Sequence, residues 1–484
     1  MAYNFVHCDR DQPFLMPPSL DDWLPKDHLV RFVIAVVETL DLSAFYARRR
    51  EDGWGRAAYD PKMMVALLIY AYATGARSSR LIERRCVEDI AFRFIAANET
   101  PDHATIARFA KDHEQELADL FDQVLRLAAE VGLVRVGLVA LDSTRIQANA
   151  SPGANRTEDW IRSEVERIIA EARATDEEED RRLGERSDAD IPAELVEPGS
   201  RLARLLAAKA KLDAEQQGRR AAYEAKVAAR EEYERRTGKG LTGRKPKPPE
   251  ERAKDRDRSK LANVTDPDSR VMSTANGGFL QGFNAQAIAT EDQITVACAV
   301  TTDRNDVAQL KPMVEQATQN LAGAGVGGKV GVVVADAGYS SEDNLALEDS
   351  LGVELVIASK NRRRSEASSA TPPRGRIPKG LSKKRRMERK LRTKRGSRLY
   401  RRRGASIEPV FGQARQRGAG RFRRRGLSAC NCEWRFEHAV HNLLKIRTSG
   451  TWTAPGATPS PRSTSGKGSF RSARIFACCC WSRY

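Results

Sequence analysis

Two apolar runs, far apart in the chain, each stop at an aspartate. Val134–Asp142 reads Val-Arg-Val-Gly-Leu-Val-Ala-Leu-Asp, and Lys329–Asp336 reads Lys-Val-Gly-Val-Val-Val-Ala-Asp. β-Branched, apolar runs of this length are the signature of buried strands. Side chains at the carboxyl ends of central strands face the crevice where α/β sheets place their chemistry. Asp142 and Asp336 are therefore the first candidate site residues.

The rest of the chain organises around these strands. Residues 1–130 read as mostly helical. Asp60-Pro61 is an N-cap followed by proline at the first helical position, leading into Lys62–Gly75. Further helices are expected at about Ser79–Ala96 and from Asp102 to about Ala129. Such helices suit a helix-turn-helix-like DNA-binding module or a plain bundle equally well. Residues 155–262 are rich in Ala, Glu, Arg and Lys, with long helical patterns at Ile161–Ala174 and Arg201–Thr237. They read as a charged helical or coiled-coil insertion. Strand signals return at Phe279–Thr290 and Gln293–Thr302, an antiparallel pair joined by Glu291-Asp292. A helix at Val307–Leu321, the second acid-ending strand and a fifth strand at Gly352–Ser359 follow. Ile407–Arg415 and Cys432–Lys445 read as helices. Residues 449–484 collapse into Ser, Thr, Pro, Gly and Arg and read as a disordered tail.

Charge narrows the function. The 484 residues are two to four domains' worth of chain at roughly 100–200 residues each. They carry 82 Lys+Arg against 65 Asp+Glu, a net of +17. That excess is local: Arg362–Arg425 holds 25 basic residues and 3 acids, Glu366, Glu388 and Glu408, leaving 57 basic and 62 acidic residues elsewhere. A basic segment on a slightly acidic body points to a polyanion partner, most simply a nucleic acid backbone. The longest apolar stretch, around Met63–Tyr72, is far short of the ~20 residues that span a bilayer. The N-terminus lacks the charged-then-apolar order of a signal peptide. Eight cysteines, three of them adjacent at Cys478–Cys480, make no disulfide framework. No membrane partner and a reduced, cytoplasmic protein are expected.

Two aspartates on neighbouring strands can hold a divalent cation. A third carboxylate from a following helix would complete a two-metal site with ions roughly 3.5–4 Å apart. Glu408, opening Glu-Pro-Val-Phe-Gly-Gln-Ala-Arg, is nearly the only acid in the basic stretch. Each of the three has a plainer role open to it: a strand-end aspartate caps turns, and an acid among arginines pairs with them. Together they are more specific than any one alone.

Seven stretches then carry a resemblance. They are Tyr59-Asp-Pro-Lys-Met, Pro101-Asp-His-Ala-Thr-Ile-Ala-Arg-Phe, Leu141-Asp-Ser-Thr-Arg-Ile-Gln-Ala-Asn-Ala-Ser, Thr265-Asp-Pro-Asp-Ser-Arg-Val-Met, Gly282-Phe-Asn-Ala-Gln, Val334-Ala-Asp-Ala-Gly-Tyr and Ile407-Glu-Pro-Val-Phe-Gly-Gln. In this order the chain resembles a DDE transposase of a bacterial insertion sequence. The resemblance implies an α/β ribonuclease H-like catalytic domain, a mixed five-stranded sheet with helices, over 131–154 and 263–448. It adds an all-α N-terminal region over 1–130 for DNA-end binding, a helical insertion at 155–262 and a basic DNA-contacting segment at 361–403. It implies two Mg²⁺ or Mn²⁺ ions on Asp142, Asp336 and Glu408, hard cations that choose oxygen ligands. The activity implied is cleavage at the element's ends and strand transfer into target DNA. The partners implied are double-stranded DNA, both the terminal inverted repeats and the target, and further copies of the chain, with nucleoid association. The family's Tyr–Arg–Glu–Lys signature falls on Tyr400, Arg403, Glu408 and Arg415, where arginine replaces lysine; Arg401 and Arg402 adjoin it. Arginine keeps the charge and can fork onto a phosphate.

Other candidates read more plainly. Asp303 and Asp306 could approach a metal, but capping of the Val307 helix suits them better; Asp266 and Asp268 suit a turn. Cys430, Cys432, His438 and His441 are too closely spaced for a zinc finger. Two competing functions stay open: a decayed transposase that only binds DNA, and a hydrolytic nuclease of the same fold.

Overall fold

The structure, a computed structural model, describes residues 19–47, 58–183, 200–240, 261–274, 277–359 and 380–453, with 243, 245–249, 373, 375 and 378. The strands in chain order are β1 (Leu138–Gln147), β2 (Asn155–Thr157), β3 (Leu261–Asn263), β4 (Arg270–Ser273), β5 (Phe279–Thr290), β6 (Thr295–Thr301), β7 (Val332–Ala335) and β8 (Glu354–Ile357). Strand β1 is central. It pairs antiparallel with β5, from Val139 opposite Thr290 to Gln147 opposite Gly282. On its other side it pairs parallel with β7, and β7 pairs parallel with β8. The outer edge of β5 is shared: β4 pairs with its start and β6 with its end. The result is a six-stranded mixed sheet, one strand more than expected because β4 takes a place beside β6.

Strand β1 runs past Asp142 to Gln147, so the first aspartate lies inside a strand rather than at its end. The parallel pairing with β7, however, stops at Leu141 opposite Ala335. Asp142 and Asp336 are the next residues on each side. Gly282 explains its own presence opposite Gln147: a Cβ there would collide with the Ile146 carbonyl and the Leu280 side chain.

Helices surround the sheet. Before β1 come α1 (Leu29–Val37), α2 (Pro61–Ala73), α3 (Ser79–Glu88), α4 (Ile90–Ile95), α5 (His103–Asp112) and α6 (Glu114–Glu130). The stretch 79–96 is two helices because Asp89 turns extended and its carboxylate caps the second through the N–H groups of Ala91 and Phe92. Asp60 and Asp102 cap α2 and α5 through their side chains. These helices share one continuous hydrophobic core with the sheet, reaching from Leu24 to Ile446.

The described residues from β2 to β3 form a separate body with a hydrophobic cluster of their own. The helices α7 (Glu158–Leu183) and α8 (Arg201–Thr237) pack around Ile161, Val165, Leu202, Leu205, Ala208 and Leu212, with Ala262 of β3. The short β2–β3 pair closes the base of this hairpin. Asp266 and Asp268 stand just beyond, and they accept from the N–H groups of Gly426 and Leu427. The turn aspartates thereby tie the base of the insertion to the last helix.

After the sheet's hairpin come α9 (Leu310–Gly323), α10 (Lys383–Arg392), α11 (Lys394–Ser406), α12 (Glu408–Gln416) and α13 (Leu427–Ser449). The basic stretch expected only as a charged segment is thus helical from Lys383 onward, each helix capped by the residue before it, Ser382 and Thr393. The last helix begins five residues earlier than the pattern at Cys432 indicates, and it lies along α6 and β6. Most of the expected tail, residues 454–484, and most of 361–379 lie outside the described residues. Among the described residues, no helix is long and apolar enough to cross a membrane.

Candidate active site

The two aspartates meet because two parallel strands end their pairing at the same level. Asp142 is mostly buried, and the N–H of Ser143 donates to its Oδ1 at 2.8 Å. Asp336 begins a tight turn in which the N–H of Gly338 donates to its Oδ1, also at 2.8 Å. Burial pushes the Asp142 carboxyl up to about 6, with Asp336 adding to the rise and Arg403 and the Ser143 N–H opposing it. Burial likewise raises Asp336, against the Gly338 N–H. Two acids in a poorly solvated crevice, both harder to ionise than usual, are a functional-site signature in physical terms.

Glu408 comes from the start of α12 and is exposed, 59 % by its side chain. Helices α10 and α11 bring it there, since α11 packs on β1, β7 and β8 and ends directly before it. Arg403, one turn earlier, joins the acids. Its Nη1 donates to Asp142 Oδ2, and its Nη2 to Glu408 Oε1 at 3.0 Å. Its guanidinium lies 5.9 Å from the centre of the Tyr400 ring. The three consecutive arginines separate cleanly by direction. Arg403 turns inward, Arg402 pairs with Glu291 of the β5–β6 turn at 2.6 Å, and Arg401 is exposed with no acid partner among the described residues. Arg415 donates from Nη2 to the Thr144 hydroxyl at 2.5 Å, on the same face of β1 as Asp142.

Two family models match the chain. The one described as Transposase domain (DUF772) covers residues 18–112, and the one described as Transposase DDE domain covers residues 250–443. The chain belongs to the DDE transposases of insertion sequences. No curated protein and no solved structure matches it. The first match falls on the N-terminal helices of the transposase. The second begins where the helical insertion ends, and it contains Asp336 and Glu408. Asp142 lies between the two, on the strand that the insertion separates from the rest of its sheet. The DDE domain marks the transposase as a DNA-cleaving enzyme whose partner is DNA.

The acids suit a hard divalent cation by type, but Arg403 already stands as the cation between Asp142 and Glu408. Accordingly, no three acid, histidine or cysteine side chains among the described residues converge closely enough to hold an ion. The histidines of α13 serve the core. His438 Nδ1 bonds the Thr295 hydroxyl, and His441 Nε2 bonds the Gln293 carbonyl at 2.8 Å. One further acid stands beside Asp336. Asp306 makes no side-chain cap to the turn it precedes and instead faces Asp336. Its sequence signal, an acid before a helix start, is that of a cap.

Proposed function

We propose that this transposase cuts DNA at the ends of its element and joins those ends to target DNA, with Asp142, Asp336 and Glu408 as its metal ligands. The observation that carries the reading is the level meeting of Asp142 and Asp336 on parallel strands, with Glu408 delivered beside them by two basic helices. The strand pattern supports a ribonuclease H-like domain: β1 is central, β5 and β6 lie antiparallel on one side, and β7 and β8 parallel on the other. When bound, Mg²⁺ or Mn²⁺ supplies activation of the attacking hydroxyl and neutralises charge at phosphorus.

The chain's own residues do the rest. Helices α10 and α11 present lysines and arginines to the phosphate backbone, a contact that positions without reading sequence. Arg403 bonds two of the acids and Arg415 bonds Thr144 two residues after Asp142, and a guanidinium there would fork onto the oxygens of a scissile phosphate. Once Arg403 turns to a phosphate, Asp142 and Glu408 are released from it. The N-terminal helices would recognise the inverted repeats, and at least two copies of the chain would pair two ends.

The test is cleavage of a labelled duplex bearing the element's own ends, with and without Mg²⁺, by the parent protein and by Asp142→Asn, Asp336→Asn and Glu408→Gln. Metal-dependent nicking at the element boundary, lost in each variant while duplex binding persists, is expected. Binding without nicking by the parent protein sinks the proposal in favour of a DNA-binding remnant. Nicking without joining of ends to target favours a nuclease.

A further inference from the structure

Asp306 follows β6 and precedes a single turn, Val307–Gln309. Its side chain is aimed into the sheet and is only 9 % exposed as a residue. Oδ1 accepts from Asn284 Nδ2 at 2.7 Å and from Gln286 Nε2 at 2.9 Å. Those two amides are alternate residues of β5 and share one face. Arg145, opposite Asn284 on β1, approaches the same oxygen at 3.8 Å. Gln286 is itself held, accepting at Oε1 from the Tyr339 hydroxyl. Residues of two family-like stretches, on β1 and on β5, thus reach one carboxylate outside both, and Tyr339 after β7 holds one of them.

The other oxygen has no donor among the described residues. It points at Asp336 across Gly338: a Cβ on that glycine would lie 2.9 Å from Asp306 Oδ2 and 3.0 Å from Asp336 Oδ1. Two carboxylate oxygens are therefore no more than about 6 Å apart, one of them on a residue that is 9 % exposed. Like charges held this way repel, and a nearby cation relieves them. Nothing about capping requires this arrangement, and the glycine is what permits it.

We infer that Asp306 is a fourth carboxylate of the site, a positioning residue that fixes Asp336 and adds its charge to the pull on a divalent cation. The inference rests on the assignment of Asp336 as a metal ligand. Asp306 faces Asp336, whereas Arg403 bonds Asp142, so the first tunes the Asp336 half of the site while the second governs the Asp142 half.

The experiment is Mn²⁺ binding to the full chain without DNA, followed by the paramagnetic resonance of free Mn²⁺. It compares the parent with Asp336→Asn, Asp306→Asn, Gly338→Ala and, as a charge control, Asp303→Asn. Asparagine at 306 can keep accepting from both amides and loses only the charge. Asp336→Asn and Asp306→Asn should each weaken Mn²⁺ by about tenfold or more, the range seen when partners behind metal ligands are removed. Asp303→Asn should stay within about twofold. DNA cleavage by Asp306→Asn should recover as Mn²⁺ is raised, which a merely structural role does not produce. Parent-like Mn²⁺ affinity in Asp306→Asn, with affinity lost in Asp336→Asn, overturns the inference and leaves the site reading intact. Parent-like affinity in Asp336→Asn sinks the site reading, and this inference with it. Should Asp306→Asn fail to fold, Gly338→Ala decides: its Cβ forces the two carboxylates apart, and unchanged Mn²⁺ affinity in a folded Gly338→Ala overturns the inference.

Discussion

The transposase contains two arginine–carboxylate clusters made of the same groups and placed in opposite surroundings. In the first, Arg77, from the turn after α2, reaches Glu433 and Glu437 of α13, and Arg417, after α12, reaches Glu437 at 2.7 Å. The Arg77, Glu433 and Glu437 side chains are at most 2 % exposed. All four carboxylate oxygens have donors, among them the N–H groups of Arg423 and Arg424, which both donate to Glu433 Oε2. The Arg77 guanidinium also lies 4.3 Å from the Tyr72 ring centre. In the second cluster, Arg403 spans Asp142 and Glu408, but Glu408 faces solvent, and Asp336 and Asp306 stand alongside. The first has matched its charges and has no room for another cation. The second carries more acid than base, and one arginine bridges two of its acids. A structural joint and the proposed active site differ here in their surplus, not in their residue types.

The largest effect should come from breaking the joint. Arg77→Gln leaves two buried glutamates to a single arginine, and removing one partner of a buried pair costs about 3–5 kcal/mol. Thermal melting of the full chain checks this. A melting temperature within a degree or two of the parent would mean that the N-terminal helices are held to α13 by apolar packing alone.

At the site the sign reverses. The folded carboxyl of Asp142 is raised to about 6, above its unfolded value of about 3.9. Its ionisation therefore works against folding: the penalty is fully present above about pH 6 and is relieved as pH falls towards 4. Asp142→Asn should stabilise the metal-free protein at pH 8 by up to about 3 kcal/mol, at roughly 1.4 kcal/mol per pH unit of displacement. The gain should shrink to near zero at pH 4. Melting at the two pH values decides it. An equal change at both would show that Asp142 is solvated in solution and that the strained reading of the site is wrong.

Much of this contrast is legible in the residues and part is not. Asp142 and Asp336 stand out because each ends an apolar, β-branched run that reads as a buried strand. The continuation of β1 through Ser143–Gln147 is hidden because Thr144 and Arg145 are polar; it is the pairing with β5 that makes them a strand. The hairpin at Glu291-Asp292 is readable from its flanking apolar residues, and Gln293 takes the left-handed backbone there, with a φ of 63°. Helices α10 and α11 are masked by their own charge, since a run of lysines and arginines looks solvated. Met387, Leu391 and Leu399 hold them to the core at positions too sparse to stand out. Asp306 reads as a cap because a cap and a buried acceptor have the same sequence. Only the amides of Asn284 and Gln286, some twenty residues away, distinguish the two.

Applying the joint's substitution to the site sharpens the comparison. Arg403→Gln removes a partner from Asp142 and Glu408, yet Glu408 remains hydrated and Asp142 can take a proton. The expected cost is about 1 kcal/mol at pH 8, within the range of partly exposed pairs, and it should vanish near pH 5 as Asp142 protonates. A loss as large as that of Arg77→Gln would show the site to be a second structural joint.

The smallest effect on stability separates the neighbours of Arg403. Arg402 pairs with Glu291 at the surface, both half-exposed, and Arg401 has no acid partner among the described residues. Arg401→Gln and Arg402→Gln should each change stability by less than about 0.5 kcal/mol. Their consequence should appear instead in the salt dependence of duplex binding. Taking one cationic side chain off a phosphate reduces the slope of log affinity against log salt by about one, uniformly across DNA sequences. Arg401, which pairs with no acid among the described residues, should show the full reduction, and Arg402 less, because in the free protein Glu291 competes for it. Equal slopes in the parent and Arg401→Gln would place the DNA backbone elsewhere than on α11, leaving Arg403 to face the acids without a phosphate to draw it away.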